Sequence, residues 1–91
     1  MKSLTNNRFW KCYADLPQEI KQQAKEAYSH FQKDPYYPSL HFSIHSTRPI
    51  FSARISMEFR TVGVIDADEI TWFWIGSHAD YDKLLKLLRK T

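Results

Sequence analysis

The hydrophobic pattern of the chain changes period near its middle, from helical spacing to strict alternation. In the first half, Phe9, Trp10, Tyr13 and Leu16 recur at helical intervals, and Asn6 or Asn7 is placed to cap the helix they predict, which runs through about Leu16. Pro17 suits the first turn of a second helix, where its missing N–H costs nothing. In that helix Ile20, Ala24, Ala27, Tyr28 and Phe31 form one stripe, while Gln18, Lys21, Gln22, Lys25 and Ser29 face away. Asp34-Pro35 stops it, and the stretch Pro35-Tyr36-Tyr37-Pro38-Ser39 reads as a rigid, extended connector.

The second half predicts strands near 41–46, 50–56, 59–66 and 69–77, rich in Ile, Val, Phe and Trp. Short breaks at Thr47-Arg48-Pro49, Ser56-Met57-Glu58 and Asp66-Ala67-Asp68 make these an antiparallel meander. The last strand, Ile70 to Ile75, is apolar on both faces and is therefore central or doubly covered. A final helix runs from about Ala79 to Arg89, burying Tyr81, Leu84, Leu85 and Leu88. Asp80 and Asp82 sit at its start and Lys86, Arg89 and Lys90 at its end, as the helix dipole favours. The expected class is α+β: two N-terminal helices, a four-stranded antiparallel sheet and a C-terminal helix, in one domain spanning 1–91.

Composition narrows the picture. A chain of 91 residues is enough for one domain, and its 15% aromatic content supplies bulk for a small core. No apolar run approaches the roughly 20 residues that span a bilayer, and Met1 to Asn7 lack the apolar core of a signal peptide, so a cytoplasmic protein is expected. Cys12 is the only cysteine, which excludes an internal disulfide and a cysteine-based zinc site. The net charge of +3 is compatible with nucleic acid, with an acidic protein partner, or simply with a lysine-rich surface.

Strand parity brings three basic residues together. If the turn at 56–58 holds three residues, Ile55 faces Phe59 and Arg54 faces Arg60. A two-residue turn would put Arg60 on the apolar face, so the pattern favours three. Val62 and Val64 share the arginine face, which the last helix is expected to cover in part. Pairing Ile65 with Ile70 places Arg60 opposite Ile75, with Gly76-Ser77-His78 ending beside the two arginines. Like charges paired across strands call for a bridging anion, and guanidinium forks suit a phosphate. An imidazole alongside can donate or accept a proton near neutral pH. These are the elements of a metal-free site for cleaving RNA, with Arg54, Arg60 and His78 as its catalytic candidates.

Plainer roles stand beside these. The arginines can be ordinary surface residues salt-bridged to Glu58 or an aspartate, and His78 can simply open a helix. Trp72 and Trp74 in a central strand read as core. Tyr81 is a candidate substrate contact that also lies on the buried stripe of its helix. Tyr36 and Tyr37 are open either to base stacking or to packing between prolines. His41 and His45 do not suit a shared metal, since four residues of strand span roughly 13 Å at about 3.3 Å each. No P-loop, HExxH, CxxC or GxSxG pattern occurs, and no cofactor is expected.

The ordered segments Leu16-Pro17-Gln18-Glu19-Ile20, Asp34-Pro35 with Pro38-Ser39-Leu40, Phe51-Ser52-Ala53-Arg54-Ile55, Phe59-Arg60-Thr61-Val62-Gly63 and Trp72 through His78 resemble the RelE/ParE superfamily of toxins over nearly the whole chain. For RelE-like members the resemblance implies an mRNA interferase, an endoribonuclease that cuts mRNA, usually in the ribosomal A site, without a metal. The ribose 2′-hydroxyl attacks the adjacent phosphate, leaving a cyclic phosphate and a free 5′-hydroxyl. Arg60 matches the arginine of the family's Tyr-Arg strand motif, with Phe59 in place of the tyrosine, and is implied to bind phosphate and transition state. Arg54 falls where the family carries a basic residue on the preceding strand. His78 matches the histidine of the Gly-Ser-His ending in the YafQ-like branch, implied to act as general acid or base. The implied partners are an acidic antitoxin, mRNA and the ribosome, with no membrane. ParE-like members share the fold, lack the ribonuclease residues and inhibit DNA gyrase, and the superfamily also holds members without toxicity.

Overall fold

Asn6 is extended and its side-chain oxygen accepts the Phe9 amide at 3.0 Å, which starts the first helix of the computed structural model. The structure describes residues 2–45 and 49–89. Its elements are β1 (Lys2–Thr5), α1 (Asn7–Ala14), α2 (Gln18–Lys33), a 3-10 turn (Pro38–Leu40), β2 (Ser43–His45), β3 (Ile50–Arg54), β4 (Phe59–Asp66), β5 (Glu69–Ser77) and α3 (His78–Arg89). Both N-terminal helices, the four expected strands and the last helix are present. The expected break at Thr47-Arg48-Pro49 lies mostly outside the described residues, as does Lys90. The connector after α2 is not fully extended. Pro38 starts the 3-10 turn, which buries Leu40 and ends at His41 in a left-handed conformation with φ 45°.

The sheet corrects the sequence reading. It has five strands in the order β1-β5-β4-β3-β2 and is mixed rather than purely antiparallel. The meander β2 to β5 is antiparallel as expected, but β1 adds a parallel edge strand, Ser3 opposite Ile70 and Thr5 opposite Trp72. This makes β5 an interior strand and explains its two apolar faces.

Each sheet face has its own core. Ala27, Phe31 and Leu40 pack on Ala53, Ile70 and Trp72 beneath α2, and Leu16 and Ala24 pack on Ile75 beside α1. On the opposite face Tyr81 and Leu84 of α3 pack on Ile50 and Val62. The expected α2 stripe is buried at Ala24, Ala27 and Phe31. A register shift between Val62 and Gly63 pairs Gly63 with Trp72 and Val62 with Trp74, leaving Phe73 as the extra residue. In consequence Phe73 and Trp74 both face α3, while Trp72 and Ile75 both face α1 and α2. Gly63 allows this crossing, because a Cβ there would lie 2.9 Å from both Ile70 and Trp72 side-chain atoms. No described helix is long and apolar enough to cross a membrane.

Candidate functional site

The three-residue turn is confirmed: Ile55 donates its amide to the Phe59 carbonyl at 3.0 Å, and Arg54 pairs with Arg60 across β3 and β4. The bulge corrects the next step by one residue, so Arg60 stands opposite Gly76 rather than Ile75. Gly76 has no room for a side chain, since a Cβ would come within 2.7 Å of the Trp74 ring. The indole therefore lies against the strand next to the arginine position.

The two guanidiniums diverge. Arg60 Nη1 donates to the carbonyls of Ser56 at 2.5 Å, Phe59 at 2.9 Å and Met57 at 3.3 Å, bracing the turn. Burial, then the charge of Arg54, holds the Arg60 pKa below its ordinary value, while Tyr81, Glu58 and Asp82 pull the other way. Arg54 reaches to the outer side of the turn, where Nη1 bonds His41 Nε2 at 3.2 Å and Nη2 contacts the Met57 sulfur. The Arg54 contact requires His41 to accept through Nε2.

His78 joins the same turn. Its amide donates to the Glu58 carbonyl at 2.6 Å, and Ser77 Oγ accepts the Asp80 amide at 3.2 Å, capping α3. The His78 ring stands edge-on to Tyr81 and is half exposed, with Nδ1 3.3 Å from Asp82 Oδ2. If Nδ1 carries the proton toward Asp82, Nε2 is left as the ring nitrogen that exchanges protons with a substrate. Asp82 is the site residue that sequence reasoning missed. Its i,i+4 spacing from His78 was visible in the sequence, but only a helix beginning at His78 puts the two on one face.

Tyr81 lies in the core at 8% exposure, its hydroxyl donating to Ser52 Oγ at 3.0 Å. It supports the site from beneath and is not presented to solvent as a substrate contact. Trp72 is core, as expected. Tyr36 and Tyr37 are both exposed, and the Tyr37 ring stacks on His30 with centroids 4.1 Å apart. The His45 side chain lies outside the described residues. Among the described residues no three His, Cys, Asp or Glu side chains converge as metal ligands. A cavity of about 510 Å³, lined by Phe9, Trp10, Tyr28 and Trp72 among others, opens on the α1–α2 face, away from α3.

No protein-family model matches the sequence, and no curated protein matches it. Solved structures do. YafQ from E. coli strain BL21(DE3) superposes with a TM-score of 0.69 at 10% identity, over 88% of this chain and 96% of that one. RelE in the RelB–RelE antitoxin–toxin complex of Methanococcus jannaschii gives 0.68 at 14% identity, over 89% and 96%. A YoeB/ParE toxin from Agrobacterium tumefaciens gives 0.68 at 14% identity, over 86% and 99%. Over most of its length, then, this chain has the fold of the RelE/ParE toxins.

Proposed function

We propose that the protein is the toxin of a type II toxin–antitoxin module and acts as a metal-independent endoribonuclease on mRNA, ribosome-bound mRNA included. The observation that carries this reading is the meeting of the Arg54–Arg60 pair and the His78–Asp82 pair at one turn, residues 55–59. Arg60 holds the scissile phosphate and its developing negative charge, while Arg54, turned to the outer side of the turn, engages the adjoining part of the RNA. His78 Nε2 takes the proton of the 2′-hydroxyl as the O2′–P bond forms and the P–O5′ bond breaks, and the departing 5′ oxygen takes a proton from water. Asp82 positions the imidazole. The implied partner is an acidic antitoxin, suited to a chain of net charge +3.

The test is cleavage of ribosome-bound mRNA in EDTA, mapped by primer extension, with cyclic phosphate and 5′-hydroxyl ends expected. His78→Gln should lower the rate by about 10²–10⁴-fold with little change in RNA affinity. Asp82→Asn should lower it less and shift its pH profile. Wild-type cleavage by His78→Gln would reduce the histidine to a structural role. The second reading is a binder without chemistry, such as a gyrase inhibitor. It is favoured by Arg60 being engaged with three turn carbonyls, and it prevails if the wild type cuts no RNA but blocks gyrase supercoiling.

A further inference from the structure

The 55–59 turn has a second side. There a polar groove of about 470 Å³ is walled by Gln23, Glu26 and His30 of α2 on one flank and by His41, Arg54 and Met57 on the other. Gln23 and Glu26 are three residues apart on a helix and so share a face. The α2 wall offers the two carboxylate oxygens of Glu26 as acceptors. The facing wall offers donors from Arg54, whose guanidinium is fixed by His41. That histidine is held in a left-handed conformation rare outside glycine. His30 is itself fixed by stacking on Tyr37.

We propose that this groove is a nucleobase subsite selective for guanine, seating the base beside Arg54, across the turn from the phosphate held by Arg60. The inference rests on the ribonuclease reading for its phosphate. Guanine alone among the four RNA bases presents two adjacent donors on one edge, N1–H and the 2-amino group, which match the two oxygens of one carboxylate. Its O6 and N7 acceptors match an arginine. Adenine and cytosine would turn a ring-nitrogen acceptor toward Glu26, and uracil offers a single N–H between two carbonyls. Arg54 thus meets the base at its contact with His41, across the turn from the phosphate at Arg60.

The test uses the whole chain and equilibrium titration with the 3′-monophosphates of guanosine, inosine, adenosine, cytidine and uridine, followed by NMR shift changes. Guanosine is expected to bind about tenfold or more tighter than the other three standard nucleotides. Inosine, which lacks the 2-amino group, is expected to lose most of that advantage. Glu26→Gln alters an exposed helix position, so the fold should persist, as circular dichroism will confirm. It should abolish the preference without weakening uridine binding. Equal affinity for all nucleotides, no binding of any, inosine as tight as guanosine, or an unchanged preference in Glu26→Gln each overturns the guanine subsite. If guanosine selectivity holds but no RNA is cut, the subsite stands and the ribonuclease reading falls.

Discussion

Arg60 carries its charge in an unfavourable place. Burial and the Arg54 guanidinium both lower its pKa. A base whose pKa falls on folding destabilises the fold equally at every pH below its folded value, so Arg60 adds no pH slope to stability in the neutral range. An anion, not a change of pH, is what relieves the cost. Inorganic phosphate should therefore raise the melting temperature above that in chloride of equal ionic strength. At ten times its Kd the gain is about 1.4 kcal/mol, or roughly 5–10 °C for a domain of this size. Arg60→Ala should remove the phosphate effect. It should also destabilise the free protein by about 1–2 kcal/mol, because three turn carbonyls lose their donor. A phosphate response that survives Arg60→Ala would place the anion elsewhere. At this scale the gathering of Arg54, Arg60 and His78 at one turn was legible in the sequence because parity and turn length constrain which strand positions are paired. The directions their long side chains then take were not, since rotamers answer to neighbours that the sequence does not display.

The strands raise a different question, because the β4–β5 hairpin turns through a residue that resists it. Ala67 has φ 54°, a conformation that costs a Cβ-bearing residue about 1–2 kcal/mol and glycine nothing. Ala67→Gly should therefore stabilise the protein, by about 0.5–1 kcal/mol once the extra freedom of glycine in the unfolded chain is counted. A lowered urea midpoint would show that the alanine methyl packs usefully. The same hairpin shows where pattern reading ran out. The run Trp72-Phe73-Trp74-Ile75 is apolar throughout, so it contains no alternation from which a bulge can be detected, and the count to Arg60 slipped by one residue. β1 escaped for the opposite reason. Lys2-Ser3-Leu4-Thr5 is short and mostly polar, and it is a strand only because β5 offers an edge to pair with. The helices were readable because α2 and α3 each bury a stripe whose spacing is written in the sequence.

Considered whole, the molecule is a sheet with a helical layer on each side, and its candidate chemistry gathers at the end where β3 turns into β4 and β5 runs into α3. That end is assembled from β3, β4, α3 and the stretch after the 3-10 turn. Its geometry thus depends on both layers docking, even though neither arginine belongs to a helix. Its parts come from distant stretches of sequence, and the joining of β1 to β5 is the most distant pairing of all. Lys2 lies opposite Glu69, so β1 has no partner until the chain as far as β5 has followed. At about 5–20 residues per second, that is a wait of roughly 3–13 s on the ribosome. Until then α1, which packs against β5, lacks its floor as well. Nascent chains arrested before Glu69 should remain protease-sensitive from Lys2 to Ala14, and those released after α3 should become resistant together across that segment. Resistance acquired earlier would mean that the N-terminal strand finds another partner first. The parallel edge strand thus works as a timer: this fold, and whatever activity it confers, cannot be completed before β5 has been made.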